Sequence, residues 1–410
     1  MSLRQMLIDF NSYFASVEQH LDPSLRGQPV GVVPMMADTT CCIAASYEAK
    51  AFGVKTGTRV ADARTLCPGI HFIEARHRTY VEWHHQLLDI IESCIHIDQV
   101  LSIDEVSCTL PRNWRNEEKV REVGRRIKQR IREQTSEAIR CSIGVGPNVF
   151  LAKMASNMQK PDGFTFIHKD KLPEVLYGLD LSDLHGVGKN MLLRLHAYGI
   201  RTVEDLCGAR KEHLRQVWGG IEGERMFDKL RGEEMIEVPT QRSTFGHSHV
   251  LAPDEREPQQ ARAVLHRLTQ KAAVRLRHAG FFCGRIQISL KYLTGGKSHD
   301  ELRILETQDT LELIRCLNRL WNRRVRQTAR LLAVGVTLTD LLAPENRTPR
   351  LLDDDGGRRE ALNQAVDALN RRFGPQKVYF GGAHEARQSA PMRIAFHHIP
   401  DLVTEADDAG

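Results

Sequence analysis

No stretch of this chain approaches the ~20 apolar residues that a membrane-spanning helix requires, although 41% of its residues are hydrophobic. No C-x-x-C pair occurs either. The nine cysteines stand singly apart from Cys41–Cys42, so nothing seeds a zinc-finger ligand pair or a dithiol redox motif. The opening MSLRQMLIDFNSYF lacks the basic-then-apolar layout of a signal peptide, because Asp9 and Asn11 interrupt it at once. Internal repeats and low-complexity tracts are missing as well. These absences disfavour a secreted protein, a membrane protein and a zinc-finger protein. They predict reduced thiols and a cytoplasmic location.

What remains is ample for several ordinary cores. The 410 residues correspond to two to four domains, and 27% charged residues place the chain among globular proteins. The net charge of +5 is modest but unevenly spread. Residues 251–330 hold sixteen Lys and Arg against eight Asp and Glu, an excess of eight that leaves the rest of the chain at −3. A basic module on a mildly acidic body suits a partner with a phosphate backbone, although a solvated helix face would give the same count.

Over the first ~165 residues, strand and helix signals alternate. Met6–Phe10 and the proline-bounded 29–34 read as strands, as do Val100–Leu110 and Cys141–Val145. Tyr80–Ile95 reads as a helix. So does the charged stretch from Glu117, where Val120, Val123, Ile127 and Ile131 form one apolar stripe. Between 174 and 233 the strand signal vanishes in favour of short helical pieces, and Pro239–Gly246 reads as a linker. Residues 247–342 then follow a β-α-β-β-α-β order, with helices at Ala261–His278 and Leu311–Arg326, predicting a small sheet with helices on one side. A last helix falls near Arg358–Arg372, ahead of an acidic tail.

Asp9 sits at the end of the first strand, and Asp104 and Glu105 sit together in another, within Ser102-Ile103-Asp104-Glu105-Val106. Carboxylates gathered at strand ends attract hard divalent cations, Mg²⁺ above all. Two such ions activate a 3′-hydroxyl and stabilise a leaving pyrophosphate. An Asp-Glu pair alone is commonplace as solvated strand-end acids, so its neighbours decide.

Those neighbours are Leu7-Ile8-Asp9-Phe10-Asn11-Ser12-Tyr13-Phe14-Ala15-Ser16-Val17-Glu18 and Ala45-Ser46-Tyr47-Glu48-Ala49-Lys50-Ala51-Phe52-Gly53-Val54. Ser102-Ile103-Asp104-Glu105 follows, then Ser142-Ile143-Gly144-Val145-Gly146 with Leu151-Ala152-Lys153, and Lys160-Pro161-Asp162-Gly163. In this order and spacing the five blocks resemble the Y-family (translesion) DNA polymerases, and the joint match is highly specific. The resemblance implies an α+β multidomain right hand: palm 1–19 and 76–165, fingers 20–75, helix-hairpin-helix thumb 166–238, linker 239–246, little finger 247–343 and C-terminal extension 344–410. It implies two Mg²⁺ ions on Asp9, Asp104 and Glu105, with the Phe10 carbonyl as a further oxygen. Tyr47, Lys50 and Lys160 match groups that hold the incoming dNTP, and Phe14 matches the aromatic steric gate beneath its sugar.

Two positions depart from the polymerase IV pattern and resemble the polymerase V catalytic subunit: Asn11 replaces a second aspartate, and Lys50 replaces an arginine. A point charge cannot copy a bidentate fork, so nucleotide affinity is expected to be lower or looser. Downstream, Leu184-His185-Gly186-Val187-Gly188-Lys189 resembles a helix-hairpin-helix whose Gly186, Gly188 and Lys189 approach a DNA phosphate. A plain packing corner is the bland alternative. Thr202-Val203-Glu204-Asp205 reads as a capping box. Ala361–Asn370 and Val378–Gly382 resemble the polymerase V tail. Residues 348–354 lie where that family carries a sliding-clamp peptide, although its glutamine and phenylalanine are missing.

The expected function is therefore template-directed, damage-tolerant DNA synthesis by a monomer. Primer–template DNA and dNTP are its partners; a sliding clamp and an SOS accessory subunit are the further ones the resemblance admits. A catalytically silent accessory homologue and a non-enzymatic DNA-binding protein are the rivals. All three acids being present opposes the first, and the unexplained acid and triphosphate blocks oppose the second.

Overall fold

The computed structural model describes residues 3–38, 40–234, 242–326, 328–346, 356–395 and 398–402. The chain forms two compact units, Met1–Val238 with Ile394–Ile399, and Pro239–Arg393 with Pro400–Gly410.

The first unit begins with β1 (Gln5–Phe10), α1 (Tyr13–Leu21), β2 (Val30–Val33), β3 (Ala44–Ala45), α2 (Tyr47–Ala51), α3 (Val60–Leu66), β4 (His71–Glu74) and α4 (His77–Glu92). It continues through β5 (Gln99–Val100), β6 (Glu105–Thr109), α5 (Glu117–Gln134), β7 (Cys141–Gly146), α6 (Val149–Met158) and β8 (Phe164–Phe166). Four helices close it: α7 (Lys189–Ala197), α8 (Val203–Gly208), α9 (Lys211–Trp218) and α10 (Ile221–Leu230). A five-stranded sheet runs β5-β6-β1-β7-β8, with β1 antiparallel to both neighbours. Met6, Leu7 and Ile8 of β1 are fully buried because helices cover the sheet. The stripe Val120, Val123, Ile127 and Ile131 is the buried side of α5, as its period requires.

Gly144 of β7 shows why one motif glycine is needed. A Cβ there would lie 2.0 Å from the Ala152 carbonyl oxygen of α6, so only glycine lets that helix seat on the sheet. The small sheet β3-β2-β4 has a core of its own around Val33, Cys42, Ala49, Val54 and Val60. Helices α7–α10 bury Leu195, Val203, Leu206, Leu214 and Val217 together.

The second unit contains β9 (Phe245–Val250), α11 (Pro258–His278), β10 (Phe282–Tyr292), β11 (Lys297–Thr307), α12 (Thr310–Arg324), β12 (Leu331–Leu342) and α13 (Gly356–Phe373). Its sheet runs β11-β10-β12-β9, all antiparallel. Ile286, Ile288 and Leu290 point into a core with Leu265, Leu268, Leu317 and Leu320 of the two helices. The alternate positions Arg285, Gln287, Ser289 and Lys291 lie on the other face.

Two expectations need correction. The predicted strand Val100–Leu110 is a hairpin of β5 and β6, closed by Leu101 and Ser102 N–H groups donating to the Glu105 carbonyl at 2.9 and 3.2 Å. Asp104 therefore sits in the turn and only Glu105 in the strand; an apolar run hides a turn that has no glycine or proline. The predicted linker also reaches too far, because Phe245 and Gly246 belong to β9, where Phe245 anchors the core. Leu184–Lys189 follows the single turn Leu181–Asp183 and leads into α7. Residues 348–354 lie outside the described residues.

Candidate active site

Register builds the centre of the site. Antiparallel pairing of β1 and β6 sets Asp9 directly opposite Glu105. The Phe10 N–H donates to the Asp104 carbonyl at 2.8 Å, tying the hairpin turn to the end of β1. Within that turn the Ser102 hydroxyl donates to Asp104 Oδ1 at 2.6 Å. The Asp104 carboxyl is held above the usual range by burial, to which the charges of Asp9 and Glu105 add.

Two ammonium groups answer these acids. Lys153 of α6 donates to Glu105 Oε1 at 2.7 Å and also to Asp9. Lys160 Nζ lies 2.7 Å from Asp9 Oδ2. Burial alone would lower the Lys153 ammonium, but Asp9 and Glu105 outweigh it and hold its pKa above the ordinary lysine value. Among the described residues no three His, Cys, Asp or Glu side chains converge on one point closely enough to ligate an ion. Lysine, rather than a third carboxylate, completes the surroundings of Asp9 and Glu105. The chemistry of the donor set nonetheless fits a hard divalent cation, because it is all oxygen and Asp104 is buried beside two further carboxylates.

Lys50 and Tyr47 flank the acids from α2. Lys50 Nζ donates to Ser12 Oγ at 2.8 Å and lies 4.3 Å from the centre of the Tyr47 ring. Burial lowers the Lys50 pKa, as does the like charge of Lys160, while Asp9 opposes them. Burial likewise raises the Tyr47 hydroxyl, with Asp9 adding to it. Four expected residues thus share one electrostatic neighbourhood: Asp9, Tyr47, Lys50 and Lys160. Phe14, on the first turn of α1, is half-buried and stacks on Tyr80 with ring centres 4.5 Å apart. Its neighbour Tyr13 is buried and donates its hydroxyl to the Tyr80 carbonyl at 2.7 Å. Gly186, Gly188 and Lys189 are exposed on a separate corner of the unit, where Gly186 has a φ of +89° and Gly188 precedes α7.

Sequence reasoning gave Lys153 and Asn11 no role. Lys153 was legible as a lone cation among the buried Leu151, Ala152, Met154 and Ala155. Asn11 is almost fully buried and accepts from the Asp162 N–H at 2.8 Å, while its amide donates to Ser142 Oγ at 3.1 Å. It thereby anchors the turn that presents Lys160.

Residues 8–157 match the impB/mucB/samB family and residues 242–352 match that family's C-terminal domain. The DNA polymerase IV of Moorella thermoacetica is 33% identical over 390 residues, covering 91% of this chain and 94% of its own. The DNA polymerase IV 1 of Bacillus subtilis is 28% identical, covering 95% of each chain. Among solved structures, the Y-family DNA polymerase chimera Dbh-Dpo4(243-245)-Dbh aligns with a TM-score of 0.70 at 23% identity, over 83% of this chain and 99% of that one. The insertion ternary complex of Dbh DNA polymerase aligns at 0.55 and 22% identity over the same shares, 83% and 99%. Near-complete coverage by polymerase IV relatives, with both family regions matched in order, makes the conclusion plain: this chain belongs to the impB/mucB/samB family and is a translesion DNA polymerase of the Y-family.

Proposed function

We propose that the chain extends a primer 3′-OH with dNTPs through a site in which Asp9, Asp104, Glu105 and the Phe10 carbonyl hold two Mg²⁺ ions. Bound there, Mg²⁺ lowers the pKa of the primer hydroxyl and offsets charge on the departing pyrophosphate. The remaining work belongs to the chain. Lys160 exchanges Asp9 for a phosphate oxygen as nucleotide enters, and Lys50 adds a second cation beside it. Tyr47 donates its hydroxyl to the triphosphate, a role its raised pKa favours by keeping the proton in place. Phe14 lies beneath the sugar and excludes a 2′-hydroxyl.

In this reading the five-stranded sheet is the palm, β2–β4 with α2 and α3 the fingers, and α7–α10 the thumb. The second unit is the little finger followed by the C-terminal extension. Gly186, Gly188 and Lys189 would meet a DNA phosphate through backbone N–H groups and one ammonium. The open face of the second sheet would track the duplex by charge alone, without reading sequence.

The observation that carries the proposal is the pairing of Asp9 opposite Glu105, with Asp104 tied to the end of β1 and two lysines among them. Primer extension with Mg²⁺ on undamaged and lesion-bearing templates tests it. Template-directed incorporation on both is expected; failure on the undamaged template overturns the reading.

A further inference from the structure

Glu18 is a buried carboxylate that the polymerase chemistry does not use. It lies one turn after Phe14 on α1, with only 1% of its surface exposed. A carboxylate taken from water needs partners on both oxygens. Arg76 supplies two, its Nε lying 3.1 Å from Oε1 and its Nη2 bonded to Oε2. Tyr80, one turn after Arg76, donates its hydroxyl to Oε1 at 2.6 Å.

The spacing makes a two-by-two lattice. Phe14 and Glu18 occupy one stripe of α1, while Arg76 caps the N-terminus of α4 and Tyr80 lies on its first turn. Glu18 grips Arg76 and the hydroxyl end of Tyr80, and the Tyr80 ring stacks on Phe14 at 4.5 Å and 17°. His77 meets both rings edge-on, at 6.2 Å from Phe14 and 6.1 Å from Tyr80. Tyr80 itself is fully buried. Burial raises the pKa of its hydroxyl, so the donated proton stays on the ring oxygen.

A stacked ring pair by itself can slide, because offset arrangements differ little in energy. Fixing the hydroxyl of the lower ring to a charge that is itself held by Arg76 removes that freedom. We infer that Glu18, Arg76 and Tyr80 form a clamp that fixes the height and tilt of the Phe14 ring, and that they are positioning residues for sugar selection. The inference rests on the reading of Phe14 as the residue beneath the sugar.

Single-nucleotide insertion by the full chain tests it, comparing kcat/KM for dNTP and rNTP in Tyr80→Phe, Tyr80→Leu, Glu18→Gln and Phe14→Ala. Tyr80→Phe deletes one oxygen and keeps the ring, so it preserves packing. It should lower the dNTP-over-rNTP ratio about three- to tenfold, mostly through better use of rNTP. Tyr80→Leu should lower the ratio further, and Glu18→Gln should match Tyr80→Phe. Adding Tyr80→Phe to Phe14→Ala should change the ratio no more, since the clamp acts only through that ring. A merely structural role would depress both sugars in proportion and leave the ratio where it was; that result overturns the clamp. If Phe14→Ala itself leaves the ratio unmoved, the sugar reading of Phe14 fails instead, and the clamp falls with it.

Discussion

In the first unit Lys153 is packed against acids: 11% of its side chain is exposed, and 4% of that of Asp9. In the second unit Lys291, Lys297 and Arg303 stand exposed on the open face of β10 and β11. There Lys291 lies opposite Lys297, and Arg303 opposite Arg285, which is itself paired with Asp340 and Glu301. Buried pairs act at contact distance and are little affected by salt, whereas exposed cations act over a Debye length of roughly 8 Å and are screened by it. Under the proposed function the comparison predicts two tasks: the first sheet sets geometry for chemistry, and the second supplies affinity for DNA.

The sharpest way to break this division is to remove an acid. Asp104→Ala or Asp9→Ala should cut nucleotide incorporation on the order of a thousandfold or more, because a charge-stabilising group at the reacting atoms is lost. Binding to primer–template should stay nearly intact. Retention of more than a few per cent of incorporation by Asp104→Ala would remove that residue from the site.

Much of this was legible in the sequence, for reasons that differ by element. The β-α-β-β-α-β order of the second unit was readable because β10 alternates apolar and polar residues from Ile286 to Lys291 and the helices are long. The meeting of Asp9 with Glu105 and Asp104, and of Tyr47, Lys50 and Lys160 around them, was readable only through motif blocks, since strand periodicity says nothing about which strands pair. The turn at Asp104 was not read: Val100–Leu110 has no glycine or proline, and Ser102 and Asp104 signal a turn too weakly to outweigh the strand-forming residues around them. Lys153 reaches Asp9 and Glu105 from a helix seated on Gly144, a contact between elements that no local pattern encodes.

Acid should distinguish the two units next. Burial pushes the His84 imidazole of the first unit down to about 4, against a hydrogen bond with the Ile103 carbonyl. Its neutral form is therefore the folded one. The stability it contributes is present above its ordinary value of 6.5 and is lost as pH falls from there to about 4. Glu255 of the second unit is the depressed carboxylate: burial opposes, but His249, Ser389 and the Ala252 N–H bring it to about 2. Its contribution is lost only between 4.5 and about 2. Each shift corresponds to about 3 kcal/mol, or roughly a hundredfold in folding equilibrium. Peptide-resolved hydrogen exchange should show the first unit loosening at a higher pH than the second, and His84→Gln should flatten the first transition. The reverse order would contradict the assignment.

Sugar choice gives a smaller effect. Phe14→Ala should raise ribonucleotide relative to deoxynucleotide insertion at least tenfold, because an excluded, unpaired hydroxyl alone costs about 1–3 kcal/mol. Tyr13→Ala should not, since Tyr13 is buried with its hydroxyl on the Tyr80 carbonyl. Relaxed selection in Tyr13→Ala but not Phe14→Ala would put the register off by one.

The smallest effect, and the most direct test of the second sheet, comes from Lys291→Ala with Lys297→Ala. Both side chains are exposed and lie opposite each other across β10 and β11, so their removal disturbs no core. If each meets one phosphate, the pair releases two counterions' worth of binding, and the slope of log K against log[salt] should become shallower by roughly 1.8. The loss of affinity should shrink as salt rises. The catalytic step should be unaffected at saturating DNA, because the substitutions leave the acids and lysines of the first unit unchanged. Fluorescence anisotropy with labelled primer–template across a salt series measures both quantities. An unchanged slope with weaker binding would mean that the lysines act through the fold of the sheet, and the separation between a sheet for chemistry and a sheet for affinity would have to be redrawn.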